Sequence, residues 1–447
     1  MSDASQGIGA FWRTHEQHFG RNDMTEHERQ TRFEPNDAHA AVDAALQSIA
    51  RQEDRIKAWT FVASPQALQD QQTHPTPGLL TGMPFGVKDI IDVADMPTRC
   101  GSLASSPENV LFDACCVSAL RRAGAIPIGK TVTAEYAFRT PGPTRNPHHL
   151  DHTPGGSSSG SAAAVAAGMV PLALGTQTGG SMIRPAAYCG VVGFKPSFGA
   201  IFRDGMKMTS ESIDTIGFYT RTVTTAARVA RVLLPYKSNT PARAEKPLRI
   251  AFVGNYAGLD QDPETTELLE DIRDLMGAHD IQCESPPEFF QAAELAHAHA
   301  IVMTYELARN MAPVARRHAH QLGEDLLEII KEGLKIPNDV YRTSLTIQRR
   351  MRHGWSEMFG AADLVLTPSA PGAAPAGLNN TGSSHYNRIW SLLGWPCLHI
   401  PIRTNRKGLP LGVQLIGDFD NDLRLLSAGA WIEEVIQGMP GARPGIP

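Results

Sequence analysis

Residues 153–199 constrain the fold more than any other stretch of the chain: TPGGSSSGSAAAVAAGMVPLALGTQTGGSMIRPAAYCGVVGFKPSFG. Two Gly-Gly-Ser elements, ending at Ser157 and Ser181, are joined by an Ala-rich helical pattern and the strand-like run VPLALG. A helix followed by a returning strand brings two loops to one end of a sheet. Glycines in those loops let backbone N–H groups converge on one point, which is what an oxyanion requires. A helix opening just after GGSSSG adds the positive end of its dipole. On composition alone the block is equally compatible with two ordinary Gly-Ser turns.

The chain has 447 residues. At roughly 150 residues per domain that allows about three domains, or one large α/β domain. Short apolar runs (PFGVKDIIDV, AIPIGKTV, VPLALGTQ) alternate with helical patterns at Ala114–Ala123 and Ser161–Gly168, which argues for an α/β sheet. Asp37 is placed to cap a helix running to about Asp54, with Ala41, Ala45, Leu46 and Ile49 near helical spacing. Leu248–Val253, Asp262–Ala278 and Ile281–Glu284 read as a peripheral strand–helix–strand unit. Residues 290–360 read as mostly helical, followed by the strand candidates DLVLTPSAP, PCLHIPI and LGVQLIG and a closing helix from Asp422 to Ile436. Candidate seams lie near 240 and at 372–384, but neither is a long linker. The expected organisation is one continuous domain over 1–447, with an N-terminal helical region (1–70), a core (80–225), a variable region (225–360) and C-terminal strands with a helix (361–447).

The balance of 41 basic against 46 acidic residues, −5, supplies no basic surplus for a phosphate backbone, so nucleic acid is not the expected ligand. The six cysteines form no CxxC pair, which argues against a disulfide framework or zinc site and makes a reducing cytoplasm the default. The first 18 residues contain no apolar signal core. The most apolar stretch, Ser161–Gly175, is too short and small-sided to span a bilayer, so no membrane association is expected.

Four other motifs invite chemistry and fail on context. GAIPIGKT at 124–131 matches a phosphate loop formally, but a helical pattern precedes it and Ala125–Ile128 is itself strand-like. GSSSG at 156–160 matches a nucleophile elbow centred on Ser158, yet a polar, Pro-broken loop stands where the buried strand should be. His148, His149 and His152 have no accompanying ligand helix, and a solvated loop explains them better than a metal. Asp418, Asp420 and Asp422 mimic a calcium loop until the sixth position, which is Leu423 rather than Gly.

The 153–199 block resembles the signature of the amidase signature hydrolases. PFGVKDIIDV (84–93), GAIPIGKTVTAEYAF (124–138), SIDTIGFYTRTV (212–223), DLVLTPSAP (363–371), SLLGWPCLHIPI (391–402) and LGVQLIG (411–417) are similar to its other blocks, in order, over roughly 80–430. The resemblance implies a large mixed, twisted β-sheet covered on both faces by helices. It implies Ser181 as acyl-accepting nucleophile, Ser157 (after a cis peptide bond) as proton relay and Lys88 as base. It places the oxyanion donors on the backbone N–H groups of Thr178, Gly179, Gly180 and Ser181. The residue types suit this, because a desolvated lysine loses proton affinity and a hydroxyl both accepts and donates.

The implied function is an amidase acting on a small carboxylic amide, anilide or carbamate, without metal or cofactor. Two other functions stay open: the glutaminase subunit of a tRNA-dependent amidotransferase, and a non-catalytic binding protein on this scaffold. Many relatives dimerise, so a homodimer is allowed. Three departures from the family pattern stand out: Gln177 where relatives have Asp, Ser159 where they have Gly, and Met182-Ile183-Arg184 where they place Arg two residues after the nucleophile. The TQTGGSxIRPA form resembles a malonamidase-like subgroup in which that arginine takes a substrate carboxylate; the alternative is that Arg184 pairs with an internal acid. Met83, Tyr136, Phe138 and Trp390 lie beside matched blocks and are the expected lining, with core packing as the competing explanation.

Overall fold

The structure, a computed structural model, describes residues 35–73, 76–235, 245–254, 256, 260–285 and 291–438. Eleven strands form one mixed sheet: β1 (Trp59–Val62), β2 (Pro84–Lys88), β3 (Ile126–Thr131), β4 (Leu172–Gln177), β5 (Val192–Lys195), β6 (Thr215–Thr220), β7 (Arg249–Phe252), β8 (Gln282–Glu284), β9 (Leu364–Pro368), β10 (Cys397–Thr404) and β11 (Pro410–Ile416). Their spatial order is β1-β3-β2-β4-β6-β5-β10-β11-β9-β7-β8. The β3-β2-β4 pairings are parallel and those from β4 through β6, β5, β10, β11 and β9 are antiparallel. Every residue of β2, β3 and β4 is buried, as strands covered on both faces must be, which is why their sequences run apolar instead of alternating.

The helix Ser159–Ala166 explains the small residues of the signature. Ser159 through Val165 are all buried, so no polar face is needed. A Cβ on Gly160 would stand 2.2 Å from the Ala58 carbonyl oxygen and 2.4 Å from the Val132 nitrogen. Only side chains of this size let the helix lie directly on the β3 end of the sheet.

The expected strands at 84–93, 125–132, 170–177, 363–371, 396–402 and 411–417 all appear, the first four in shorter form. The peripheral unit is found as β7, the helix Pro263–Ala278 and β8, with the Asp262 carboxylate accepting from Glu264 N–H at 2.9 Å as cap. The closing helix is Asp422–Ile436, and the stretch from 292 to 359 is helical as Ala292–His318, Glu324–Lys335, Asn338–Arg352 and Trp355–Phe359.

Three expectations are corrected. Asp37 lies inside the helix Pro35–Ile56, not ahead of it as a cap. The strands β1, β5 and β6 were not expected; β1 and β5 have only four residues each, too few to show a period. The candidate seam at 372–384 is packed against the signature: a Cβ on Gly156 would meet Thr381 Cγ2 at 2.6 Å, and Gly382 O accepts from Arg184. The N-terminal region 1–34 and most of the seam near 240 (236–244) lie outside the described residues.

Candidate active site

Strand β2 ends at Lys88, a fully buried residue. Its Nζ lies 2.8 Å from Ser157 Oγ and 2.7 Å from Thr176 Oγ1. Parallel pairing sets this meeting, since Val87 is in register with Leu174, which brings the C-terminal residues of β2 and β4 side by side. Burial pushes the ammonium's pKa down from 10.5 to about 7, against a smaller upward pull from Asp214. An appreciable share of Lys88 is therefore uncharged near neutral pH, with a lone pair for a proton.

Ser157 follows a cis Gly156–Ser157 peptide bond and has no exposed surface. Its carbonyl accepts from Ala134 N–H at 3.1 Å. The Gly156 carbonyl accepts from Arg184 Nη2.

Ser181 sits between β4 and the helix Ile183–Cys189, 8% exposed. The loop before it is held by its carbonyls. Thr178 O accepts from His299 Nε2 at 2.9 Å, and Gly179 O from Ser391 Oγ at 2.7 Å. Gly180 O accepts from Arg184 N–H at 3.0 Å, and Ser181 O from Tyr219 OH at 3.2 Å. The N–H groups of the same four residues have no acceptor among the described residues. Four anchored carbonyls fix the loop, and its four N–H groups are left without a partner among the described residues.

Gln177 braces the turn. Its Oε1 accepts from Met182 N–H at 2.8 Å and Ile183 N–H at 3.0 Å, while Nε2 donates to Ser391 Oγ at 2.9 Å. A neutral amide can donate as well as accept, which an aspartate cannot, and this links the turn to the helix His385–Leu393. Thr178 Oγ1 donates to Asp214, whose other oxygen accepts from Thr209 N–H at 2.7 Å and Ser210 N–H at 2.8 Å. Since a carbonyl only accepts, His299 carries its proton on Nε2; burial pushes its pKa down to about 4, so the ring is neutral.

The structure thus joins Lys88 to Ser157. No hydrogen bond joins Ser157 to Ser181 here. Arg184 is 6% exposed and donates to Gly156 O and, at 2.7 Å, to Gly382 O. It pairs with no acid among the described residues, and both ends of its fork are engaged by the chain itself.

The expected lining is corrected at two positions. Met83 precedes the first residue of β2, five residues from Lys88, or about 17 Å along the strand, and packs in the main core. Trp390 belongs to a second core cluster, stacked on Trp395 with centroids 6.0 Å apart, while Asn387 and Ser391 on the same helix face the glycine loop. Tyr136 is buried with its hydroxyl accepting from Ser105 at 3.0 Å. Phe138 is partly buried beneath the Arg139 guanidinium, 5.1 Å from its centroid.

Thr176, Asp214, Tyr219, His299, Asn387 and Ser391 were not singled out from sequence. His299 sits in AELAHAHAIVM, where nothing separates it from a core histidine. Elsewhere, the GAIPIGKT lysine, Lys130, is buried against Asp89 at 3.2 Å, at the end of β3. Ser158 Oγ donates to Thr176 O at 3.1 Å.

Comparison with known proteins identifies the family. Residues 40–426 match the Amidase family model. The chain is 31% identical over 428 residues to a glutamyl-tRNA(Gln) amidotransferase subunit of Desulforapulum autotrophicum, covering 81% of this chain and 85% of that protein. It is also 31% identical to the corresponding amidotransferase subunit of Rhodopirellula baltica, over 87% of this chain and 92% of the relative. Among solved structures, an amidase superposes with TM-score 0.81 at 27% identity, over 92% of this chain and 99% of the other. Native peptide amidase from Stenotrophomonas maltophilia superposes with TM-score 0.73 at 27% identity, over 92% and 95%. The chain belongs to the amidase signature family. It is an enzyme of that class, a hydrolase of carbon–nitrogen bonds other than peptide bonds.

Proposed function

We propose that the protein is an amidase that cleaves a carboxylic amide, anilide or carbamate through an acyl-enzyme on Ser181. The observation that carries the reading is the buried Lys88 amine held 2.8 Å from Ser157 Oγ, at the end of the sheet that also carries the Ser181 loop. Ser181 Oγ attacks the substrate carbonyl as its proton passes to Ser157 Oγ and the proton of Ser157 passes to Lys88 Nζ. The carbonyl's π pair moves to its oxygen, which takes hydrogen bonds from the N–H groups of Thr178–Ser181. The pair then returns, the C–N bond breaks, and the departing nitrogen takes a proton from Ser157, which Lys88 replenishes. Water attacks the ester, gives up its proton along the same route, and releases the carboxylic acid and free Ser181. These steps use side chains and backbone only. The Ser157–Ser181 hydrogen bond forms with substrate in place, as catalytic contacts commonly tighten in the bound complex.

Labelling with a fluorophosphonate and peptide mapping tests this. Ser181 is modified in the wild type, and Ser181→Ala loses both labelling and amide turnover while keeping its circular dichroism. Retained turnover of every cleavable amide by Ser181→Ala would end the mechanism.

The likeness to glutamyl-tRNA(Gln) amidotransferase subunits favours a second reading, a glutaminase component working within a complex. Gln177 and the Met182-Ile183-Arg184 spacing weigh against it. Glutamine hydrolysis together with co-purifying partner chains would decide for it.

A further inference from the structure

One edge of the candidate site carries an arginine that no acid among the described residues answers. The chain as a whole has more acids than bases, 46 against 41, so this does not reflect a basic composition. Arg388 stands in the first turn of the helix His385–Leu393, half-buried. Its Nε donates to Ser384 Oγ at 3.1 Å, and its two terminal nitrogens have no partner among the described residues. Arg121, Lys130, Arg403 and Arg424 each face a carboxylate, whereas no described ion pair includes Arg388. The groups near it are basic, not acidic: the charged Arg139 and Arg184, and the imidazoles of His299 and His385, whose pKa values are pushed down. A guanidinium stays charged in such surroundings, and withdrawing it from water without a counter-ion is costly.

The position gives that cost a use. Arg388 Cγ lies 3.9 Å from the point where a Cβ on Gly179 would stand. That side of Gly179 is open, with nothing nearer than His299 Cε1 at 3.6 Å. The Arg388 side chain therefore borders the open side of Gly179, in the loop whose N–H groups are unanswered among the described residues. Arg184 cannot take the same part, since its fork is engaged by Gly156 O and Gly382 O.

We propose that Arg388 is a substrate-binding residue that pairs with a carboxylate on the substrate, so that the preferred substrates are amides bearing a free carboxylate. The planar fork and a carboxylate match in two parallel hydrogen bonds. The inference rests on the reading of Ser181 as the acyl-accepting nucleophile, and on that reading the carboxylate sits on either the acyl or the amine side of the scissile bond.

Protection of Ser181 from a fluorophosphonate tests it with the full-length protein. The probes are succinamate and N-acetylglycine, each against its methyl ester, which keeps the shape and removes the charge. In the wild type an acid slows labelling saturably at a concentration about 10- to 100-fold below its ester, the range expected for a charged hydrogen-bonded pair. The first pair reports an acyl-side carboxylate and the second an amine-side one. Arg388→Gln brings acid and ester together, and Arg388→Lys recovers part of the preference. Equal protection by acid and ester in the wild type for both pairs overturns the inference, as does an unchanged preference in Arg388→Gln. Should Arg388→Gln misfold, the wild-type acid and ester comparison still decides. Absence of Ser181 labelling in the wild type overturns the nucleophile reading and this inference with it, whereas labelling without discrimination overturns this inference alone.

Discussion

Replacing Lys88 with methionine probes the site through stability, independently of any substrate. Burial lowers this amine's pKa from 10.5 to about 7. At about 1.4 kcal/mol per tenfold change in proton affinity, the charged form is disfavoured by roughly 5 kcal/mol in the fold. The unfolded chain holds the proton up to pH about 10.5 and the folded chain releases it near 7, so between those values the unfolded state binds more protons. Wild-type stability therefore rises with pH across that window, and the penalty is fully present below pH 7. Methionine fills similar volume and carries no such term, but Ser157 Oγ and Thr176 Oγ1 each lose a partner, at about 1 kcal/mol apiece and independent of pH. The variant is then more stable than the wild type by about 3 kcal/mol at pH 7. The advantage shrinks by about 1.4 kcal/mol per pH unit and reverses near pH 9. Equilibrium urea unfolding of both proteins at pH 6.5, 7.5, 8.5 and 9.5 reads this directly, because every other titrating group is shared. A stability difference that stays flat with pH would show that Lys88 keeps an ordinary ammonium, and the proposed base would be lost.

Other outcomes follow from the same geometry. Asp214→Asn removes the charge that raises the Lys88 pKa, so the rising limb of the kcat/KM profile moves to lower pH than its wild-type position near 7; a shift to higher pH contradicts the assignment. Ser391→Ala unties Gly179 O and Gln177 Nε2 and lowers kcat about 10-fold by steady-state assay, with less change in KM. Gly180→Ala puts a methyl 2.5 Å from Asn387 Oδ1 and 2.8 Å from Ser384 Cβ, and activity falls at least as far, with a lower melting temperature by calorimetry.

The sheet is legible in the sequence at β2, β3, β4, β9, β10 and β11, which carry apolar runs near Gly and Pro, but not at the equally buried β6. The four-residue β1 and β5 carry no such signal. At the site, Lys88, Ser157 and Ser181 are readable because Gly-rich motifs surround them. Their supports are not. Asp214, His299 and Ser391 act over separations of 36, 121 and 214 residues, and each is one ordinary polar residue in an apolar segment. Arg184 misleads for the opposite reason: its motif is conspicuous, but its guanidinium is turned onto the backbone carbonyls of Gly156 and Gly382.

The anchoring of the glycine loop has a consequence for biosynthesis. The strands β2 and β4, with both serines, are complete by residue 181, yet Gly179 O and Gln177 wait for Ser391. A ribosome-bound chain that has already paired those strands still lacks the tether that holds the Gly179 carbonyl. On the proposed mechanism, acyl-transfer competence arrives late in translation, once Ser391 has emerged, and a product terminated before it stays inert.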